Sequence, residues 1–155
     1  MTISSLSDKS HVVRHVPYQS TIRDDNDKLI GVFPQAFSLR DGEAYLSCCW
    51  LEFFVGTRPE QVAGVAAYMG KTRKVSEKQA FACGEVGVIK EACLSFGQRV
   101  RINHEPNSED NQAYACVRRY QSDNFELLGL LAAQAWAELV DAKMVVDRVG
   151  PWRGA

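Results

Sequence analysis

Apolar residues recur at helical spacing in three stretches of the chain. The first opens at Thr57-Arg-Pro-Glu60, where the threonine can cap free amide groups, the glutamate can complete a capping box and the proline suits a first turn. Its apolar positions end at Gly70, which is typical of a helix C-terminus. Similar spacing runs from Val86 to Phe96 and again from Asp123 to Val140. The sequence therefore predicts three helices, of which the third is the longest.

Runs rich in β-branched and apolar residues predict strands around these helices. They lie at residues 11–16, 20–23, 29–33, 80–83, 100–102 and 113–120. The turn sequence Asp24-Asp-Asn-Asp27 joins two of these runs into a hairpin, since Asn and Asp side chains bond their own backbone. Residues 45–54 are apolar at nearly every position, and their periodicity fits a strand and a helix equally well.

Strands that mix with helices without strict alternation favour an α+β fold. We expect a single domain in which about three helices pack on a mostly antiparallel sheet. Residues 1–10 are expected to form a flexible leader, residues 11–149 the domain and residues 150–155 a tail. At 155 residues, one hydrophobic core can support the fold without disulfides or a metal.

The composition of the chain argues against several classes of function. Hydrophobic residues make up 46% of the chain and charged residues 24%, as in an ordinary globular protein. The net charge of −1 provides no overall field to attract nucleic acid or anionic lipid. No apolar run is long enough for a signal peptide or a membrane span. The five cysteines lack C-x-x-C spacing and are expected to be thiols in a reducing, cytoplasmic compartment.

The polar loop that begins at His104 is the first candidate site. It lies between two predicted strands, where binding groups are often displayed, and it opens on an ionisable side chain. If the strands are neighbours, a small transferase or hydrolase is one hypothesis, with His104 or His15 acting in catalysis. Arg14 or Arg101 would hold an anion in such a site. The other side chains expected nearby are those of Ser47, Cys48 and Glu52.

Ordinary structural roles compete with these candidates. The loop after His104 is more often a solvated hairpin connection with a surface histidine. The basic segment Lys71–Lys78 and the pair Arg118-Arg119 suit nucleic-acid binding, but they also fit solvated faces. His11 and His15 would lie roughly 13 Å apart along a strand, too far to share a metal ion. We expect no metal and no cofactor.

Three short stretches resemble the layout of a family of small uncharacterised bacterial proteins. They are Arg14-His-Val-Pro17, Leu46-Ser47, and Val100-Arg-Ile-Asn-His-Glu-Pro106 followed by Asn111-Gln-Ala-Tyr114. In that family a similar His-Asp-Pro segment precedes Asn-Pro-Ala-His, and this chain differs at Glu105, Gln112 and Tyr114. The resemblance implies a bacterial, cytoplasmic protein and carries no activity.

The leading hypothesis from the sequence is a non-catalytic accessory or interaction domain that binds another protein, because no catalytic motif rises above chance. An apolar patch around Phe53, Phe54 or Trp152 would form its contact surface. The enzyme described above is the alternative, and nucleic-acid binding is the third hypothesis. The oligomeric state is left open.

Overall fold

A central antiparallel sheet organises the residues that the computed structural model describes, which are 2–107 and 111–146. In chain order the strands are β1 (Ser4–Ser5), β2 (His11–Val16), β3 (Thr21–Arg23), β4 (Leu29–Val32), β5 (Leu46–Trp50), β6 (Ala80–Glu85), β7 (Arg101–His104), β8 (Tyr114–Arg118) and β9 (Glu138–Asp141). The helices are α1 (Arg58–Gly70), α2 (Val86–Leu94), α3 (Phe125–Leu130) and α4 (Ala142–Val146). A π-helical turn, Leu131–Ala135, continues α3.

Seven of the strands pair in the order β1-β7-β8-β5-β2-β6-β9, and every pairing is antiparallel. Strands β3 and β4 form a separate hairpin, whose turn has the predicted chemistry. Asp24 Oδ1 accepts the backbone N–H groups of Asn26 and Lys28, and Asp27 adopts a φ of 62°. The predicted α+β class with a mostly antiparallel sheet is confirmed.

A hydrophobic core lies on each face of the sheet. Side chains alternate along a strand, so Val12 and Ala82 face the core that includes residues of α2 and α3. Val13 and Phe81, one position along, face the core built with α1 and α4. Helices therefore cover both faces of the central strands.

Helix α1 begins at the signal that the sequence contains. Thr57 Oγ1 accepts the N–H of Glu60 at 3.4 Å, and the Glu60 carboxylate accepts the N–H of Thr57 at 3.2 Å, which together form a capping box. The helix ends at Gly70, as predicted. In its middle, Gly64 lies against Phe54, and a Cβ atom at that glycine would be 2.5 Å from the ring. The missing side chain therefore allows the close approach of α1 to Phe54.

The apolar run at residues 45–54 combines a strand with a short turn. Leu46–Trp50 form β5, and Leu51–Phe53 form a single 3₁₀ turn. Leu51 is fully buried in the core beneath α1. The run therefore leaves the sheet by turning inward, which its uniform hydrophobicity could not indicate.

The prediction of one long helix over residues 123–140 is wrong. Asn124 caps α3, and its side chain accepts the N–H groups of Glu126 and Leu127. Trp136 then leaves the helical conformation, with φ −113° and ψ 46°. Leu139 and Val140, which the spacing assigned to the helix, pair with β6 as part of β9.

The physical reason for this break is tertiary packing. Trp136 is fully buried, and its ring lies 5.4 Å from that of Phe37 between centroids. Strand β9 also gives the outer edge of β6 a hydrogen-bonded partner. No glycine or proline lies between residues 131 and 140, so the helical pattern continues across the break in the sequence.

The expectation that residues 1–10 form a flexible leader is also corrected. Ser4 and Ser5 form β1, which pairs with His104 and Asn103 at the outer edge of β7. Leu6 is 8% exposed, and its N–H donates to the carbonyl of Ile102. One buried side chain and an available strand edge are enough to order this segment.

The predicted tail, residues 150–155, lies outside the described residues. In the part of the chain that is described, none of the helices has both the length and the apolar character that crossing a bilayer requires.

We predict that Gly64→Ala destabilises the protein by about 1 to 3 kcal/mol, because the added methyl group overlaps the Phe54 ring in a packed core. Gly70→Ala is the matched control, since a Cβ atom at this position of the same helix meets no atom within 4 Å. Urea unfolding of the parent and both variants measures the difference. Equal stabilities of the two variants would contradict this packing.

Candidate functional site

The two central strands of the sheet separate at Arg14. Strands β2 and β5 pair only at Val12 with Trp50 and at Val13 with Cys49. From the next position the backbone hydrogen bonds between the two strands stop, and the Arg14 side chain connects the separated segments. Its Nη1 donates to the Ser47 carbonyl and its Nε to the Ala36 carbonyl, both at 2.7 Å. The sheet therefore has an opening that one charged side chain spans.

A cavity of about 180 Å³, which we call the central cavity, lies at this opening beneath the C-terminal half of α1. Its walls come from β2, β5 and β8, from α1 and from the segments around residues 40, 73 and 111. The lining residues are Val13, Arg14, His15, Arg40, Glu43, Ser47, Cys48, Cys49, Val65, Met69, Arg73, Asn111 and Tyr114. Segments distant in sequence thus meet around one space.

Positive charge dominates the central cavity. Of the residues that the structure describes, three arginines, Arg14, Arg40 and Arg73, line it together with one carboxylate, that of Glu43. Burial lowers the pKa of Arg14 from its ordinary value, but arginine stays protonated in proteins. The side chains of Arg40 and Arg73 are in exposed residues and form no ion pair or hydrogen bond with any described residue. Two guanidinium groups at the cavity are therefore without a partner in the described part of the chain.

His15 presents an uncharged imidazole to the cavity. Gln79 Oε1 accepts the N–H of Ser76 at 3.1 Å, which identifies this atom as the oxygen, and it lies 2.8 Å from His15 Nε2. Nε2 therefore carries the hydrogen, and Nδ1 is left with a lone pair and no partner among the described residues. Burial lowers the pKa of His15, and the nearby arginine charges lower it further against the opposing effect of the Gln79 bond.

The opposite wall supplies neutral hydrogen-bonding groups. Tyr114, which pairs with Cys49 across the sheet, bonds through its hydroxyl group to Ser47 and, at 3.5 Å, to Tyr45. Cys49 Sγ donates to Asn111 Oδ1 at 3.8 Å. Burial raises the pKa of Cys49 to about 12, so this thiol stays protonated and is a poor nucleophile. Burial also raises the pKa of the Cys48 thiol.

The structure brings two of the predicted site residues together and separates the other two. Arg14 and His15 both line the central cavity. His104 lies in β7, where its Nε2 donates to the Gln112 carbonyl at 2.7 Å. Its ring stacks 4.9 Å from that of Trp50. Arg101 is an exposed residue at the start of β7, so neither it nor His104 reaches the cavity wall.

Residues predicted for an apolar contact surface are not exposed together. Phe54 is 1% exposed and belongs to the core under α1, which corrects that part of the prediction. Phe53 is half-buried and its ring contacts those of Trp50 and Tyr68. Trp152 lies outside the described residues.

Two of the basic residues outside the cavity, Arg118 and Lys71, contact other side chains of the fold. Arg118 donates two hydrogen bonds of 2.6 Å to Glu105, and this bidentate pair lowers the pKa of the carboxyl group. Lys71 lies over the ring of Tyr68.

Among the residues described, no cluster of three or more His, Cys, Asp or Glu side chains is arranged to hold a metal ion.

Sequence reasoning missed Arg40, Glu43 and Arg73 as site residues. Arg40-Asp-Gly-Glu43 is a sequence typical of a turn, and Arg73 is one of several basic residues in the segment Lys71–Lys78. The turn forms: Glu43 Oε1 accepts the N–H of Arg40 at 2.6 Å. No local pattern shows that the turn and the basic segment meet over β2.

Comparisons of the chain with models of protein families, with curated proteins and with solved structures gave no match. The resemblance to small bacterial proteins therefore stays a prediction. Five residues from the stretches that carry it line the central cavity: Arg14, His15, Ser47, Asn111 and Tyr114.

We predict that His15 titrates below its ordinary value of 6.5, because burial and three arginines disfavour its charged form. Nitrogen-detected NMR of the imidazole rings between about pH 5 and about pH 8 measures this pKa. Arg73→Gln should raise it by removing a positive neighbour, whereas the distant exposed Arg99→Gln should leave it unchanged.

The same shift has a consequence for stability. The pKa of His15 is lower in the folded protein than in the unfolded chain. The contribution of His15 to the free energy of unfolding is therefore complete above about pH 6.5 and is lost as the pH falls through the folded-state pKa. A His15 that titrates at or above 6.5 would contradict this description of the cavity.

Proposed function

We propose that the protein binds a small anionic ligand, with a phosphate or carboxylate group, in the central cavity. The observation that carries this proposal is the convergence of Arg14, Arg40 and Arg73 on one space. Guanidinium groups match the geometry of phosphate and carboxylate oxygens and form charge-assisted hydrogen bonds with them. Three such groups on one small cavity suit an anion better than a neutral ligand.

The balance of charge in the cavity supports an anionic ligand. Among the described lining residues, three guanidinium groups against the carboxylate of Glu43 leave an excess of two positive charges, because the lowered pKa of His15 favours its uncharged form. Arg14 is partly buried, so salt screens its charge less than it screens a fully solvated charge. Anion binding would neutralise this excess.

His15 adds a second binding element. Its unpartnered Nδ1 can accept a hydrogen bond from a hydroxyl group or a water molecule beside the anion. This observation favours a second candidate function, a small transferase or hydrolase in which His15 Nδ1 removes a proton while Arg14 and its neighbours hold the anion. In this form the enzyme hypothesis uses His15 and Arg14 without His104 or Arg101.

The interaction with a protein partner stays a prediction, since the residues expected to form its surface are buried or lie outside the described residues. A cytoplasmic location is part of our proposal. It is supported by the five cysteines, all of which are buried free thiols.

We predict that inorganic phosphate binds the protein, as measured by calorimetry and by shifts of the His15 NMR signals. Arg40→Gln and Arg73→Gln should each weaken binding by roughly three- to tenfold, because each removes a charge that no described residue neutralises. Neither change should affect stability. Bound phosphate should also raise the pKa of His15, since a nearby negative charge favours the imidazolium form.

Two control variants distinguish phosphate binding in the central cavity from general attraction of phosphate to surface charge. Arg99→Gln and Arg101→Gln remove the same charge from exposed residues that do not line the cavity. They should leave phosphate affinity unchanged. If phosphate does not bind, or if the controls weaken binding as much as the cavity variants do, the proposal is wrong.

A further inference from the structure

Two further cavities adjoin the central cavity, one on each side. The helix-side cavity, of about 240 Å³, shares Met69, Arg73, Asn111 and Tyr114 with it. The turn-side cavity, of about 220 Å³, shares Arg14, His15 and Arg40 with it. The two outer cavities have no lining residue in common, so the three spaces form a row with the central cavity in the middle.

The combined volume of the three cavities matters for the size of ligand that the row can hold. Pockets for small molecules usually measure about 300 to 1,000 Å³. Each of the three cavities lies below that range, whereas together they fall within it. The row therefore suits one elongated ligand better than any single cavity suits a compact one.

Charge is concentrated in the middle of the row. Beyond the shared residues, the turn-side cavity adds amide, hydroxyl and apolar side chains such as Gln19, Gln35 and Ser38. The helix-side cavity adds Tyr68, Thr72 and Asn107. Among the described residues, no additional charged side chain lines either outer cavity. A ligand that fits the row has its negative charge at the centre and neutral, hydrogen-bonding groups at both ends.

This distribution of charge restricts the chemical class of the ligand. A carboxylate or a phosphate monoester ends a molecule, whereas a phosphodiester joins two substituents through one negative group. The partly exposed ring of Tyr114 at the helix-side cavity can contact a base, as aromatic side chains do in many proteins that bind single strands. We propose that the row binds a phosphodiester of the dinucleotide class, with its phosphate in the central cavity. This inference rests on the proposed anion-binding function.

The test compares the dinucleotide ApA, the mononucleotide AMP and inorganic phosphate by calorimetry. ApA should bind roughly tenfold more tightly than inorganic phosphate, with AMP between them. Gln19→Trp and Thr72→Trp each fill one outer cavity from an exposed position and leave the arginines in place. Each should reduce ApA affinity to about the level of AMP and leave phosphate affinity unchanged. Gln121→Trp, at an exposed residue outside the row, is the matched control.

The outcomes distinguish this inference from the function on which it rests. If phosphate binds but ApA binds no better, the elongated ligand is wrong and the anion site stands. If phosphate does not bind at all, both are wrong. An acidic tripeptide that binds more tightly than ApA would overturn the phosphodiester class.

A longer oligonucleotide identifies the source of the phosphodiester. Affinity for a pentanucleotide well above that for ApA, with a steep dependence on salt, indicates a single strand passing through the row. Equal affinities indicate a free dinucleotide. Both results support the binding of a phosphodiester in the row.

Discussion

The guanidinium group of Arg14 is a permanent positive charge held between the two central strands of the sheet. A charge in this position is tolerated only if its N–H groups find acceptors, and the carbonyls of Ser47 and Ala36 provide them. These bonds hold β5 apart from β2 and fix the 3₁₀ turn Pro34–Phe37 beside the sheet. The opening, the position of the Arg40 turn and the central cavity all depend on this interaction.

The electrostatics around Arg14 favour hydrogen bonding over covalent chemistry. The positive charges near His15 oppose its protonation, and burial keeps the Cys48 and Cys49 thiols protonated. Burial also raises the pKa of the Tyr114 hydroxyl group. The cavity thus offers neutral donors and acceptors beside fixed positive charge. This combination supports the proposed binding of a ligand that carries its own negative charge.

Local signals in the sequence were sufficient where structure is decided locally. The Thr57 capping box and the Asp24 turn form as predicted, because each is a set of bonds within a few residues. The end of α3 depends instead on the packing of Trp136 against Phe37, which lies far away in the sequence. The residues of the central cavity were hard to predict for the same reason. The sequence indicates Arg14 and His15 as candidates, but only tertiary contacts bring Arg40 and Arg73 to the same cavity.

The pairing of β1 with β7 has a consequence for the order of folding. Ser5 bonds Asn103 across a separation of 98 residues, so the first strand of the chain waits for one of the last. Contacts of such long range require the loop between them to close before they stabilise anything, and folds that depend on them form slowly. During synthesis on the ribosome, the N-terminal segment would remain without its partner until most of the chain has emerged. The β1–β7 pairing therefore cannot form before Arg101–His104 has been synthesised.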